Sequence, residues 1–144
     1  MKTTHKPNTA FWIIAIIAII WNIMGVGAFI GQSFVTDEAI ALLPIDQAEL
    51  LNNIPSWVVV IFGIAVFAGL LGSILLLMKK KLAVSIFMLS LLAVIIHQGY
   101  FFFTVDSIGI YGWVQGLIMP VIVILIAMFL YMYSKIATGK GWLS

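Results

Sequence analysis

The sequence contains no cysteine. That absence rules out disulfide scaffolds, thiol redox relays and zinc or iron–sulfur sites held by cysteine. A four-helix quinone or disulfide oxidoreductase built on a C-x-x-C pair is excluded with them. Charge is almost as scarce: 8% of the 144 residues are Asp, Glu, Lys or Arg and 64% are hydrophobic. Ordinary soluble domains have roughly 25% and 45–50%. A soluble chain of this length has no core large enough to hide that much apolar surface. The solvent is lipid, and one domain is expected.

Four apolar stretches, at about 10–34, 57–78, 82–104 and 113–134, contain no Asp, Glu, Lys or Arg. Each has about the 20 residues that a helix rising 1.5 Å per residue needs to cross roughly 30 Å of hydrocarbon. The runs are long and unbroken, unlike the short alternating segments of a membrane barrel. A helix also satisfies its own backbone hydrogen bonds in lipid. The expected fold is an all-α membrane four-helix bundle.

The seven basic residues are all lysines: Lys2 and Lys6 before the first span, Lys79, Lys80 and Lys81 between the second and third, Lys135 and Lys140 after the fourth. Alternate crossings bring them to one side. The acids Asp37, Glu38, Asp46, Glu49 and Asp106 fall on the other. The positive-inside rule then places both termini and the lysine loop in the cytoplasm. A dual-topology chain would lack this bias. The lysine loop reads as an orientation signal that also suits contact with anionic lipid. Lys2 and Lys6, the apolar run and Val26-Gly27-Ala28 resemble a cleavable signal peptide. The run, however, exceeds the 7–15 residues of a signal core, so an uncleaved first span is expected.

The connection 36–56 is the only polar segment of any length. Thr36 before Asp37 and Glu38 reads as a helix N-cap with acids in the first turn. Pro44 interrupts it, and 46–51 suits another turn of helix. Ile40, Leu42, Leu43, Leu50 and Leu51 give it an apolar side, so it is expected to be an amphipathic extracytoplasmic segment lying on the membrane or capping the bundle. Phe11, Trp12, Trp57, Tyr111, Trp113, Tyr131 and Tyr133 mark the span edges as aromatic anchors.

Inside lipid, small and polar residues mark the faces that helices turn toward one another. The first span carries Ala15, Ala18, Asn22, Gly25 and Gln32. The second carries Ala65, Gly69 and Ser73, with Ala68 and Gly72 beside them. The third carries Ala83, Ser90, His97 and Thr104, and the fourth Gly112, Gly116 and Pro120. Close helix packing explains the small residues, and Gly25, Ala65, Gly69, Gly72, Ser73, Gly112 and Gly116 are the expected contacts.

The polar residues are the candidate site. Asn22 sits near the middle of its span, where it either ties two helices together or coordinates a ligand. His97 titrates near neutral pH when unperturbed; ionisable groups within the membrane are functional candidates, though a neutral histidine bonded to a neighbouring helix is equally ordinary. Gln98 and Gln115 lie at a similar depth, and Gln32, Ser33, Tyr100 and Pro120 complete an expected polar pocket. Pro120 lacks a donor and suits a bend.

Other chemistries are missing. The spans hold no carboxylate for a proton relay and no histidine pair for haem. No nucleophile–base arrangement and no phosphate-binding glycine loop is recognisable. No enzyme activity, cofactor, metal or nucleic-acid partner is expected.

Trp21-Asn22-Ile23-Met24-Gly25, Thr36-Asp37-Glu38-Ala39, Pro55-Ser56-Trp57 and the run from Tyr133-Ser134-Lys135 to Gly141-Trp142-Leu143-Ser144 resemble a family of small four-span proteins of the bacterial inner membrane. Some relatives are similar to chains automatically labelled sugar transporters, and the four-helix plan is similar to that of DoxX-like proteins. The resemblance implies a bacterial inner membrane and no particular chemistry. Small multidrug transporters share the size but depend on a glutamate in the first span, where this chain has only Asn22. Two functions remain as expectations. One is a homo-oligomeric transporter or channel for a small neutral solute; the other is a non-catalytic subunit that docks on a larger membrane protein.

Overall fold

The computed structural model of the chain describes residues 6–144. Lys2, part of the charge argument, lies outside the described residues. Every regular element among the described residues is helical: α1 (Thr9–Ser33), α2 (Asp37–Ala41), α3 (Ile45–Asn53), α4 (Ser56–Leu77), α5 (Leu82–Thr104), α6 (Ser107–Trp113), a π-helical turn (Val114–Ile118) and α7 (Met119–Gly139). Four helical stretches, the fourth including α6 and the π turn, are long and apolar enough to cross a membrane. The chain is thus a multi-pass helical bundle, with span limits close to those its hydropathy indicates.

Local chemistry sets the ends. Asn8 caps α1 by accepting the Phe11 N–H at 2.9 Å. Thr36 caps α2 through Ala39, with Asp37 and Glu38 in the first turn, where the helix dipole favours acids. Pro44 and Pro55 stand at the N-caps of α3 and α4. Lys79 ends α4 in the left-handed region at φ 60°, and Lys80 N–H reaches back to the Leu75 carbonyl at 2.9 Å. Gly141, at φ 77°, ends α7 the same way, with Trp142 N–H bonded to Ala137 at 3.0 Å. This is the left-handed termination for which glycine is best suited.

The spans pack in sequence, α1 on α4, α4 on α5 and α5 on α7. At the end carrying the lysine loop, Phe11, Leu76, Phe87, Leu130 and Leu143 make the core. Phe11 is fully buried, stacked on Tyr133 at 6.4 Å and meeting Trp142 edge-on at 5.8 Å. Its expected place in an aromatic belt is therefore corrected: the C-terminal tail folds over the ring. That tail is fixed by backbone bonds, Ser144 N–H to the Lys79 carbonyl at 2.9 Å and Lys81 N–H to the Ser144 carbonyl at 3.1 Å. Trp57 and Trp113 are more than half exposed.

The small-residue faces of α4 and α5 meet. Gly72 lies against the Phe87 ring, and the Ser90 hydroxyl donates to the Ala65 carbonyl at 2.7 Å. On the other side of α4, Gly25 lets α1 approach: a β-carbon there would sit 3.2 Å from Val66.

Gly112 needs correction. It does not pack against another span, since a β-carbon there would meet nothing within 4 Å. Its φ of 85° and ψ of 177° break the helix, so α6 folds back beside the π turn. Gly116, expected to face another span, instead meets this folded segment: its β-carbon would come within 2.7 Å of the Ile108 nitrogen. The π turn also accommodates Pro120. Proline cannot donate to the carbonyl four residues back, and the widened turn instead closes through Met119 N–H to the Val114 carbonyl, the usual role of a π-bulge.

At the end opposite the lysine loop, α3 lies against α6, where Gln47 donates to the Ile110 carbonyl at 3.4 Å. Leu50, Leu51 and Ile54 are half-buried, whereas Leu42 and Ile45 are exposed.

Candidate functional site

Two adjoining cavities occupy the half of the bundle nearer α3 and α6. The deeper one, about 280 Å³, is bounded by Asn22 and Gly25 of α1, Phe62 and Ala65 of α4, His97 and Gln98 of α5, and Met119 and Val123 of α7. The wider one, about 570 Å³, continues toward α3 and adds Gln32, Gln115, Pro120, Ser107 and Tyr111. They share Ala28, Phe62, His97, Gln98, Met119 and Val123. Helix periodicity explains the lining. Gly25, Ala28 and Gln32 lie on one stripe of α1, while Gln115, Met119 and Val123 step by four along the π turn and α7.

Asn22 ties helices together. Its amide N–H₂ donates to the Ser73 hydroxyl of α4 at 3.0 Å and to the Ala18 carbonyl at 2.8 Å, and the Ser73 hydroxyl donates in turn to the Gly69 carbonyl at 2.8 Å. Gly69 has no side chain because the Asn22 amide occupies that space. Asn22→Leu keeps the branched shape and removes the interhelical bond. Such bonds average about 0.6 kcal/mol in lipid, so a loss of roughly that size is expected by denaturation in detergent, with solute binding kept. A larger loss of binding than of stability would assign Asn22 to the ligand.

His97 lies edge-on to Phe62 at 4.8 Å and beside Phe101 at 4.9 Å. Among the described residues, no intramolecular hydrogen bond engages the side chains of His97, Gln98, Gln115 or Gln32. Their donors and acceptors remain available to whatever enters the cavities. Neither cavity is lined by Asp, Glu, Lys or Arg, and the described residues contain no cluster suited to a metal ion.

Two expected members, Ser33 and Tyr100, line neither cavity. Ser33 is exposed. Tyr100 turns toward Trp57 and Phe101, with ring centroids at 5.5 and 5.3 Å. Thr104, expected on the packing stripe of the third span, is exposed and donates to the Tyr100 carbonyl of its own helix. Sequence reading missed Ser107 and Tyr111, which reach the wider cavity only because the chain reverses at Gly112, and Leu51 and Ile54, delivered by α3. A glycine directly after Tyr111 was the one available signal for that reversal.

No protein-family model, curated protein or solved structure matches this chain.

Proposed function

We propose that this protein is a transporter for a small neutral solute in the bacterial inner membrane, with both termini cytoplasmic. One observation carries the reading. His97, Gln98, Gln32 and Gln115, from three spanning segments, face a common space with uncommitted hydrogen-bonding groups and no formal charge. Free amides are costly in a membrane interior unless a partner is found. A neutral solute bearing hydroxyl or amide groups supplies that partner, whereas an ion would need a counter-charge.

The sidedness rests on charge. Lys79–Lys81 and the tail bearing Lys140 are joined at one end of the bundle, and α2 and α3, with their acids, lie toward the other. The positive-inside rule directs the lysine end to the cytoplasm, so the wider cavity faces outward.

A second reading, docking on a second copy or a larger membrane protein, has its own support. Gly27 and Gly31 are exposed on α1, and a β-carbon at either would meet nothing; Gly31 also borders the wider cavity, so a partner seated there would cover its mouth. Small residues four apart suit close helix contact in lipid. The small-residue faces of α4 and α5 are already used within the protomer, which weighs toward transport.

Native mass spectrometry of the full-length protein released from its own membrane tests the proposal. A homo-oligomer retaining a small uncharged molecule is the expected result. A fixed complex with another protein and no retained molecule would replace it by the docking reading.

A further inference from the structure

The deeper cavity does not end at Asn22. Trp21, on its wall, also borders a third space, a surface groove of about 220 Å³ lined by Ile14, Ile17 and Ala18 of α1 and Ile126, Phe129 and Leu130 of α7, with Ile17 and Phe129 largely exposed. The three spaces follow one another along the seam between α1 and α7. These two spans lie at the open ends of the packing order and have no helix between them.

Polarity changes along the seam. Gln32, Gln115, Ser107 and Tyr111 gather at the α3–α6 end, His97 and Gln98 lie next, and every residue lining the last space is apolar. From Gln32 to Ala18 is fourteen residues of α1, or about 21 Å at 1.5 Å per residue. That exceeds half of the roughly 30 Å hydrocarbon thickness. A water-soluble solute has no use for the apolar half. A molecule with one polar end and one long apolar chain matches both halves, and in a bilayer such chains already stand alongside the spans.

Building on the transport reading, we propose that the solute is a single-chain amphiphile with an uncharged, hydrogen-bonding head. The head lies among Gln32, Gln98 and Gln115, and the chain runs along the α1/α7 seam past Trp21 to Leu130. Entry is sideways from the lipid, because Met24 and Met119 on the cavity walls are exposed at the bundle surface. A charged head is disfavoured by the uncharged lining.

The test uses the full-length protein in phosphatidylcholine bilayers with a monoacylglycerol carrying a photoactivatable diazirine at its chain end. Label is expected at 14–21 and 126–130, displaced by excess unlabelled monoacylglycerol. Ile126→Trp, which fills the apolar space, should cut labelling at least tenfold. Ile17→Trp on the facing wall serves the same purpose should the first variant fail to assemble, with size-exclusion behaviour checking both. Label spread evenly over the lipid-facing helices and insensitive to competitor would overturn the proposal. Flux of free glycerol in the same bilayers separates the two levels. Glycerol passage without seam labelling rejects the amphiphile but leaves a neutral-solute transporter, and neither signal rejects both.

Discussion

Gly72→Leu is expected to prevent assembly of the bundle at temperatures where the unmodified chain is fully folded. A β-carbon at Gly72 would come 2.8 Å from Cδ1 and 2.9 Å from Cε1 of Phe87. Phe87 is 2% exposed, so its ring has no free space to move into. Overpacking a single site costs about 1–3 kcal/mol, and leucine adds three more carbons beyond the first clash. The proper control is Gly99→Leu. A β-carbon there meets nothing within 4 Å, so the change should stay within about 0.5 kcal/mol. Helicity is a poor readout, because each span keeps its internal hydrogen bonds in lipid even when separated from its neighbours. Thermal shift followed by tryptophan emission, with monodispersity on size exclusion, reports packing instead. Equal behaviour of the two variants would mean that the α4/α5 contact is not the tight interface described above.

Replacing Gln98 and Gln115 together by leucine should weaken solute retention by about fivefold or more without lowering stability. A typical hydrogen bond contributes about 0.5–1.5 kcal/mol net, and 1.4 kcal/mol corresponds to a factor of ten in affinity. Two bonds lost from two spans, about 1–3 kcal/mol together, therefore predict roughly a fivefold to hundredfold effect. Neither side chain is engaged within the protein, so their removal leaves no orphaned partner, and leucine suits lipid better than an amide. Retained ligand measured by mass spectrometry and thermal shift measured in parallel separate the two effects. Unchanged retention would place the solute elsewhere.

The spans were readable because lipid imposes one strong requirement, a long uncharged helical run, and composition records it directly. The α5 limits coincide with the sequence reading at both ends, and those of α1 and α4 differ by one residue. The reversal at Gly112 was not readable in the same way. Gly112, Gly116 and Pro120 keep helical spacing on paper, and spacing does not distinguish a glycine that packs from one that turns. Phe11 illustrates a related limit. An aromatic at a span edge suits the headgroup level, and only the position of Trp142 and Leu143 over the ring makes it core. Gly141 followed by Trp142 was a legible sign of a left-handed stop with an apolar contact beyond it. For the site, residue type and depth brought Asn22, His97, Gln98, Gln115, Gln32 and Pro120 to the cavity region. They could not determine which way Ser33 and Tyr100 turn, since a residue one position along a helix is rotated by about 100°.

Phe11, Tyr133 and Trp142 pin the start of α1 to the end of α7 and the tail beyond it. Across its 25 residues, α1 is about 37 Å long. Along that length α4 holds it as a splint, through the Asn22–Ser73 bond, Gly25 against Val66 and Phe29 against Gly63, so the wall that α1 gives both cavities is braced from the pinned tip to the far tip.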